Sequence, residues 1–544
     1  MIPPASNLAT HEVTNQPGPH RPRDPWADDP ALQAHVAAQG GASGRLADLG
    51  ARIAATDAWA WGEAARRHPP ELVTFDRAGR RLDEVRFHPA YHDLLTLGLA
   101  SGYAALPWQD GAQAAAGGHV IHAAMVYLMS QVEPGTCCPM TMTYAAVPAL
   151  QADAALSALW TPRLTAFGHD PAIAPVRDKR AATLGMAMTE KQGGSDLRAN
   201  TTRAISDGAE YRLTGHKWFC SAPMSDGFLT LALTDAGLTC FVVPRWLEDG
   251  SRNAIHLMRL KDKLGNRANA SAEIEYHGAR AQRLGADGQG VRTIIEMVHH
   301  TRLDTAMAPA GLMRAALVEA LRWCEGRTAF QRRLIDQPLM RMVLADLVLD
   351  WEGATALGLR VAAAFDDPGQ RPFARIGVAL AKFLSNKRCP TVIAEAMEVL
   401  GGMGYVEDTP MPMLYREAPL NGIWEGSGNV ICLDILRSLA RDAGARPALM
   451  AELDAAAGAD PRFDAALAAH RARWPDLPAE AEARFFAERT AHLLTASVLI
   501  RTAPTAVAEG YVAGRLDPDR GLVPGALRGL DVAPLIARIG DFHP

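Results

Sequence analysis

The sequence has no large excess of charge of either sign and few aromatic residues. Its 544 residues carry a formal net charge of −5, and aromatic side chains make up 6% of them. A charge this close to neutral provides no overall attraction to nucleic acid or to an anionic membrane. No stretch approaches the ~20 uninterrupted apolar residues of a membrane span. The N-terminus also lacks the basic segment followed by an apolar run that is typical of a secretory signal. These absences predict a cytoplasmic protein.

Cysteine is sparse, and its spacing does not fit a metal site or a disulfide framework. Of the seven cysteines only Cys137 and Cys138 are adjacent. An odd number of scattered cysteines is typical of reduced thiols in a cytosolic protein, where most are buried as small hydrophobic residues. We therefore expect no bound metal.

Apolar residues are abundant enough for large cores, since they make up 48% of the chain. A chain of this length is expected to form two to four domains. Residues 1–45 are rich in Pro, Gly, Ala and His, which predicts an extended arm with room for one helix. Residues 46–182 have apolar positions three and four apart, which predicts an N-terminal helical domain.

The pattern changes to strands in residues 183–290. Residues 271–276 alternate between two faces, which is typical of a half-buried strand. The runs FLTLALT and LTCFVVP flank Asp235-Ala236-Gly237, and this arrangement predicts a hairpin. Asp207-Gly208 marks a second turn. We expect a middle β domain here.

Helical periodicity returns in residues 291–440. Apolar positions from Leu303 to Cys324 share one helical face, and Pro309 is expected to interrupt and kink that helix. Pro338 is expected to begin a second long helix. A third helical run precedes Gly401-Gly402 and a fourth follows Asn429. Residues 441–544 form an Ala- and Arg-rich helical extension.

Residues 421–429, NGIWEGSGN, place the carboxylate of Glu425 between a tryptophan and a Gly-Ser-Gly turn. Small residues let the backbone approach a planar ligand and expose N–H groups to an anion. By itself this segment also fits an ordinary surface turn. Three further segments add to it: GMAMTEKQGGSD at 185–196, GHKWFCS at 215–221 and EVLGGMGY at 398–405.

In this order and at these separations, the four segments resemble the acyl-CoA dehydrogenase flavoproteins, and most closely their AidB-like adaptive-response branch. The resemblance covers almost the whole chain. It implies an α+β fold with an N-terminal helical domain, a middle β-barrel-like domain and a C-terminal four-helix bundle, here followed by an extra helical domain. It also implies FAD as cofactor and a homotetramer built as a dimer of dimers.

The resemblance further implies which residues bind the flavin. The matching positions are Met188, Thr189, Gly194, Ser195, Trp218, Phe219, Ser221, Arg327, Phe330, Glu398, Gly401, Gly402, Trp424, Ser427 and Asn429. Trp218 matches the aromatic residue that packs on the ring, although by itself it also fits a core tryptophan. Arg327 matches an arginine that reaches the flavin of a neighbouring subunit, and a surface arginine is the alternative. Gln331 replaces the family's glycine, which is a departure near the adenine contacts.

Glu425 matches the family's catalytic base. A carboxylate in an apolar pocket has a raised pKa and is suited to removing the α-proton of a thioester. One branch, the isovaleryl-CoA dehydrogenases, carries its base at the position of Thr301, which cannot serve as a base. Thr301 and Arg302 match positions on the substrate side. His299 stands where ordinary members have an aspartate that grips the CoA portion, so the resemblance implies relaxed substrate recognition.

The extension, residues 441–544, contains twelve arginines, no lysine and fourteen acidic residues. Affinity for DNA depends on clustered cations rather than on totals. Arg437 and Arg441 share a predicted helix face, and Arg515, Arg520 and Arg528 lie close in sequence. By itself the pattern favours a solvated helical cap. The AidB-like resemblance instead favours binding of double-stranded DNA through these five arginines.

Two functions remain open. The favoured one is an FAD-containing protein of the alkylation-stress response that binds double-stranded DNA without sequence specificity and has weak isovaleryl-CoA-type dehydrogenase activity. The alternative is a metabolic short- or branched-chain acyl-CoA dehydrogenase without a role at DNA. His299 and the long extension favour the first function, and Glu425 indicates that catalysis is retained.

Overall fold

The structure, a computed structural model, describes residues 4–18, 23–109 and 116–540. The part that precedes the main sheet is mostly helical, as expected. Its helices are α1 (Pro30–Ala38), α2 (Gly44–Ala55), α3 (Ala58–Arg67), α4 (Pro89–Ser101), α5 (Gly118–Val132), α6 (Pro134–Leu150) and α7 (Ala154–Leu164). Helices α5 and α6 are buried on nearly all sides, which explains why they are apolar around their whole circumference.

An antiparallel hairpin in this region was not predicted. It consists of β1 (Glu71–Phe75) and β2 (Arg81–Arg86). The Asp76 carboxylate closes the turn by accepting hydrogen bonds from the backbone N–H groups of Ala78 and Arg80. The turn lacks the Asn-Gly or Asp-Gly pair that marks short hairpins in a sequence, and helical patterns flank it on both sides.

The middle region forms a seven-stranded sheet. Its strands are β3 (Leu184–Ala187), β4 (Arg203–Asp207), β5 (Glu210–Ser221), β6 (Gly227–Thr234), β7 (Gly237–Pro244), β8 (Ile255–Leu260) and β9 (Ser271–Leu284). The order β6-β4-β5-β9-β7 closes on itself, because β7 pairs with β6 as well as with β9. This closure confirms the β-barrel-like domain. The predicted hairpin joins β6 to β7, and the predicted turn joins β4 to β5.

The third region is a helical bundle. Its helices are α8 (Gly290–Gly326), α9 (Pro338–Phe365), α10 (Arg371–Val399), α11 (Met411–Glu417) and α12 (Gly428–Arg441), and a small hairpin of β10 (Thr328–Ala329) and β11 (Arg332–Arg333) lies between α8 and α9. Helices α8, α9 and α10 pack on one another, and α12 packs on α10. Pro338 begins α9 as predicted. The order of helices, sheet and helices confirms the predicted fold class.

The prediction that Pro309 interrupts α8 was wrong. The helix runs through this residue without a break. Proline lacks the N–H group that would donate to the carbonyl four residues earlier, which is the carbonyl of Thr305. Asn386 of α10 supplies the missing donor, because its Nδ2 lies 2.8 Å from the Thr305 carbonyl oxygen. A side chain from a neighbouring helix thus keeps the long helix intact.

The extension adds α13 (Ala445–Asp454), α14 (Pro461–Arg473), α15 (Ala483–Thr502), α16 (Thr505–Arg515) and α17 (Ala533–Ile536). Helix α15 packs on α9, α10 and α12, while α16 and α17 pack on α9. Buried ion pairs reinforce this packing. Arg515 lies 2.7 Å from Asp346 and 2.9 Å from Asp350. The extension is therefore built into the bundle and is not a separate appendage.

Two negative findings hold for the residues that the structure describes. No helix there has the length and apolar character needed to cross a membrane. No group of three or more His, Cys, Asp or Glu side chains in the same ranges is arranged to hold a metal ion. The seven cysteines are all free and buried.

Candidate functional site

Glu425 lies in the turn that precedes α12, and its backbone is in the left-handed region with φ of +58°. Residues other than glycine adopt this conformation rarely and at an energetic cost, so such positions concentrate at functional sites. Two neighbours on α8 hold it. Thr301 Oγ1 donates to Glu425 Oε2 at 2.8 Å, and Arg302 Nε donates to the Glu425 carbonyl oxygen at 3.1 Å.

The surroundings of Glu425 shift the pKa of its carboxyl group. Burial raises the pKa of this carboxyl group, while the Thr301 hydrogen bond and the positive charges of Lys382 and Arg302 act against that rise. A carboxylate with a raised pKa in a partly enclosed site is suited to general-base catalysis. Thr301, which cannot itself act as a base, thus orients the carboxylate that is expected to do so.

Lys382 of α10 was missed by the sequence reasoning. Its side chain is buried, and its Nζ donates to the carbonyl oxygens of Asn421 at 2.8 Å and Gly426 at 2.9 Å. These two carbonyls flank Glu425. A signal was present in the sequence, because Lys382 is the lone charged residue in the apolar run 376–384 of a helix.

The guanidinium group of Arg302 also contacts a carboxylate on another helix. Its Nη1 lies 2.6 Å from Asp434 Oδ2, and Asp434 also pairs with Arg375 at 2.7 Å. Asp434 lies on α12, so the pair joins α8 to the helix that follows the turn of Glu425. This anchoring fixes the guanidinium group that contacts Glu425.

His299, at the position of the family's CoA-gripping aspartate, is part of an aromatic contact. Its ring stacks on Phe365 with centroids 4.7 Å apart. Burial, together with the positive charges of nearby His300, Arg375, Arg302 and Arg371, holds the pKa of His299 well below its usual value. A neutral imidazole therefore stands where a carboxylate is expected.

The segment of residues 185–196 begins within β3 and continues into a tightly folded loop. The Thr189 carbonyl accepts a hydrogen bond from the Trp218 backbone N–H at 2.7 Å, and the Met188 carbonyl accepts one from Asn200 at 2.9 Å. A side chain at Gly194 would press on Thr189 at 3.1 Å. Ser195 is exposed next to this glycine. The loop thus presents backbone groups and a hydroxyl at the end of a strand.

Trp218 lies on β5 at the barrel surface and is partly exposed, so it is not enclosed in the barrel core. Lys261 Nζ lies 3.2 Å from the centroid of its ring, which is a cation–π contact. Phe219, the next residue, is 49% exposed. Ser221 Oγ lies 3.3 Å from Ser271 Oγ. Lys191 and Arg259 also lie over this ring, at 5.4 Å and 5.7 Å from its centroid, so Trp218 presents a partly exposed aromatic surface among cationic side chains.

The amino end of α12 is prepared for an anion. Ser427 occupies the N-cap position, but its side chain makes no capping hydrogen bond. Arg484 of the extension donates to Asn429 Oδ1 at 2.8 Å, and Lys387 Nζ lies 3.1 Å from the place where a Gly428 side chain would begin. Free N–H groups at a helix start, with two cations beside them, suit a phosphate group.

These features fit the FAD that the resemblance implies. The aromatic surface at Trp218 suits the ring system, and the amino end of α12 suits the pyrophosphate. Trp424 precedes Glu425 in the same turn, where its Nε1 donates to Asn421 Oδ1 at 2.7 Å. The expected FAD residues thus include an aromatic side chain for the ring system and backbone N–H groups for the pyrophosphate.

A second group of expected flavin residues lies on the surface. Phe330 is 94% exposed at the tip of the β10–β11 hairpin, with φ of +51°. Glu398, Gly401 and Gly402 are also exposed. Arg327 is partly buried and donates to the Asn15 carbonyl at 3.1 Å. Exposure of these side chains is what a contact with a neighbouring subunit requires.

The five arginines expected to bind DNA do not behave alike. Arg437 and Arg441 are exposed on α12, and Arg528 is exposed and pairs with Asp519 at 2.5 Å. Arg520 is partly buried. The structure contradicts a DNA contact at Arg515, whose side chain is 5% exposed and paired with two aspartates. A buried, paired guanidinium group cannot reach a phosphate.

Comparison with known proteins now identifies the chain's relatives. The family model "Adaptive response protein AidB N-terminal domain" matches residues 15–171. The models "Acyl-CoA dehydrogenase, middle domain" and "Acyl-CoA dehydrogenase, C-terminal domain" match residues 185–279 and 288–440. These three matches cover the helical, barrel and bundle regions in turn.

Individual relatives agree with the family models. The chain is 46% identical over 466 residues to AidB of Escherichia coli K12, spanning 84% of this chain and 86% of that protein. It is 32% identical over 403 residues to acyl-CoA dehydrogenase family member 11 of Caenorhabditis elegans, spanning 69% of this chain and 63% of that protein. The crystal structure of Caenorhabditis elegans ACDH-11 in complex with C11-CoA superposes with a TM-score of 0.83 at 26% identity, and covers 94% of each chain. The chain therefore belongs to the AidB branch of the acyl-CoA dehydrogenase family, and it is an FAD-dependent oxidoreductase of that type.

Proposed function

We propose that the chain oxidises a short, branched acyl-CoA of the isovaleryl-CoA type, with weak activity, and that it also associates with double-stranded DNA in the alkylation-stress response. The observation that carries the first part is the placement of Glu425. Its carboxylate is oriented by Thr301 and its backbone is held by Arg302. Few roles other than proton transfer account for a carboxyl group that is held in a strained turn, with a raised pKa, beside a flavin site.

The proposed chemistry divides the work between protein and cofactor. Glu425 takes the proton from the α-carbon of the thioester, and Thr301 keeps one of its oxygens occupied so that the other faces the substrate. Bound FAD would supply the acceptor for the hydride of the β-carbon. Arg302 and Lys382 place positive charge near the carboxylate, which keeps a fraction of Glu425 ionised despite its burial.

A polar cluster supports a short acyl group. On α8, Asp304 follows Thr301 by three residues, a distance of about 4.5 Å along the helix. Asp304 Oδ1 lies 2.7 Å from His122 Nε2, and its Oδ2 accepts a hydrogen bond from Thr141 at 2.5 Å. Tyr103 adds a longer contact of 3.4 Å from its hydroxyl group. Charged and polar groups therefore lie about one helical turn along α8 from Thr301, which holds the Glu425 carboxylate.

Thr141 shows that this cluster borders open space. It is partly exposed, whereas the residues around it on α6 are buried. Cys138 lies three residues earlier on the same helix. Burial is the main cause that raises the pKa of its thiol, Lys263 lowers this pKa, and the nearby Glu425 carboxylate adds to the rise. A long alkyl chain that passes Glu425 would meet the polar groups at Thr141, which disfavours long acyl groups. The complex of the nematode relative contains C11-CoA, so the two proteins are expected to differ in chain length.

Anaerobic mixing with isovaleryl-CoA tests the proposed oxidation, because transfer of hydride bleaches the visible absorbance of the flavin. We expect slow bleaching with isovaleryl-CoA and slower bleaching with straight chains of ten or more carbons. A flavin that stays oxidised with every short acyl-CoA would contradict the proposal.

We propose that the active species is a homotetramer, built as a dimer of dimers, with FAD in each subunit. Support comes from Arg327, Glu398, Gly401 and Gly402, which match positions that reach a neighbour's flavin. Arg327 is partly exposed on the isolated chain, and the other three are exposed. Size-exclusion chromatography with light scattering and flavin absorbance measures both quantities on one sample. We expect flavin absorbance to coincide with the mass of four chains. A fully loaded monomer would contradict the tetramer.

We propose that DNA binds through the exposed arginines Arg437 and Arg441. They lie on one face of α12, and in the described part of the chain neither forms an ion pair. No recognition helix or other base-reading motif is evident, so binding is expected to be independent of sequence and to weaken steeply with salt. Removal of the extension is a poor test because it would uncover the buried faces of α9 and α10.

Charge reversal at Arg437 is therefore the sharper experiment. Arg437→Glu is expected to weaken binding of a duplex uniformly across sequences and to reduce the slope of log K against log salt by about 1 or more, because one phosphate contact is lost. Arg471→Glu is the matched control, since Arg471 is exposed and lies in the extension. Equal affinity of the Arg437 variant and the wild type would favour a metabolic dehydrogenase without a role at DNA.

A further inference from the structure

Lys382 joins a buried helix to the catalytic turn at two points. Its Nζ donates to the carbonyl oxygens of Asn421 and Gly426, at 2.8 Å and 2.9 Å. The first carbonyl lies before Glu425 in the turn and the second lies immediately after it. No other side chain in the described ranges donates to both of these carbonyls. One ammonium group therefore closes the turn around the base.

This connection matters because the turn is strained. Glu425 has φ of +58°, and Gly426 has φ of +100°. A left-handed residue other than glycine costs about 1–3 kcal/mol and persists only where its surroundings fix it. Arg302 holds the Glu425 carbonyl from α8, while Lys382 holds the flanking carbonyls from α10. Without Lys382 the turn loses its tether to α10, and the carboxylate is free to move.

Burial and neighbouring charges shift the pKa of Lys382, which is unusual for a residue with a purely structural role. Burial lowers the pKa of this amine to about 7; Glu425 opposes that shift, and Arg302 and Lys387 add to it. Arg302 is itself balanced by Asp434, which also pairs with Arg375. Glu425 is thus the nearby carboxylate that stabilises the ammonium form. A buried lysine is a costly way to satisfy two carbonyls, and this cost indicates a role in the site.

We propose that Lys382 is a positioning residue, which holds Glu425 in the geometry needed to take the α-proton of the substrate. The inference rests on the proposed dehydrogenase function. It assigns Lys382 no contact with substrate. Its ammonium group acts through the two carbonyl bonds that fix the turn and through its positive charge beside the carboxylate.

Exchange of α-hydrogen with deuterium isolates the step in which Glu425 acts. The probe is methylthioacetyl-CoA, in which sulfur replaces the β-carbon, so that the α-proton can be removed but no hydride can leave. Mass spectrometry of the probe in D₂O measures the exchange without any oxidation. For Lys382→Met, which keeps the length of the side chain but removes its donors, we expect exchange to fall by about 10²-fold, since displacement of a catalytic group by 1 Å has an effect of that size.

Four further readouts separate positioning from a merely structural role. The concentration of probe that gives half-maximal exchange is expected to stay the same, and FAD is expected to stay bound. Because Lys382 lowers the pKa of Glu425, removal of its charge is expected to move the acidic limb of the pH–rate profile to higher pH. Lys382→Ala with added ethylammonium is expected to regain part of the exchange rate, because the small amine can occupy the vacated space.

Arg471→Met serves as the control for the loss of one cation, and its exchange rate is expected to equal that of the wild type. Glu425→Gln is expected to abolish exchange. If it does, an exchange rate of Lys382→Met within twofold of the wild type would overturn the positioning role. An acidic limb of the pH–rate profile that does not move in Lys382→Met would also overturn it. Failure of the Lys382→Ala variant to recover with ethylammonium would also overturn it. If the wild type itself exchanged no α-hydrogen, the proposed function would fail first, and this inference with it.

Discussion

Replacement of Glu425 by glutamine is expected to lower acyl-CoA oxidation by about 10²–10⁴-fold, the usual contribution of a general base. The amide keeps the shape of the side chain and can still accept the Thr301 hydrogen bond, which is 2.8 Å long in the structure. It cannot take a proton from the substrate. We therefore expect FAD to remain bound and the mass of the assembly to stay the same, while the rate of flavin reduction by isovaleryl-CoA falls.

Glu417→Gln is the matched control. Glu417 is another buried carboxyl group of the same region, where burial and the charge of Glu133 raise its pKa to about 7. It accepts a hydrogen bond from the Asn266 backbone N–H, so its role is to hold a loop. Its amide variant should oxidise substrate at the rate of the wild type. If the Glu425 variant did the same, the base would have to be sought elsewhere.

Arg515→Ala is expected to lower the free energy of unfolding by about 3–5 kcal/mol, because it leaves two buried carboxylates without their partner. Arg515 joins α16 of the extension to Asp346 and Asp350 of α9. Asp350 also pairs with Arg388, at 2.6 Å, and we expect this pair to remain in the variant, so that Asp346 suffers the larger loss. Chemical denaturation, followed by circular dichroism with FAD saturating, measures the change.

Arg528→Ala provides the comparison for this stability experiment. Arg528 and its partner Asp519 are both exposed, at 70% and 84%. An exposed pair contributes about 0–1 kcal/mol, so this variant should unfold almost like the wild type. Similar midpoints for the two variants would show that the extension is not held to the bundle by the buried ion pairs.

Much of the site was predictable because its chemistry lies in short segments. Residues 421–429 place Glu425 next to the glycines that its turn needs, and the β5 segment places Trp218 at a surface position. The left-handed backbone of Glu425 was not predictable, since it results from bonds to Thr301 and Arg302, more than 120 residues away along the chain. Contacts over such separations leave no periodic pattern.

The same limit explains the errors. Arg515 looked like a surface cation because its acidic partners are 165 and more residues away. Pro309 looked like a break in the helix because Asn386, which supplies the missing donor, belongs to another helix. In both cases the prediction would hold for an isolated segment. In the folded chain, a side chain that is distant in sequence changes the surroundings of the residue. Lys382 was overlooked although its signal was local, because a single lysine in an apolar run was not recognised as a sign of a buried role.

The network at Glu352 has a consequence for how the chain is made. This fully buried carboxylate of α9 pairs with His35 at 3.1 Å and with Arg538 at 2.7 Å. His35 is synthesised early, whereas Arg538 is among the last described residues. During translation, α9 emerges nearly two hundred residues before Arg538. Until then its carboxylate lacks the arginine and must stay hydrated, because a buried charge without its partner is strongly destabilising. We therefore expect the bundle to reach its final packing only after Arg538 has left the ribosome, and an interrupted chain to have a less stable bundle that proteases recognise more readily.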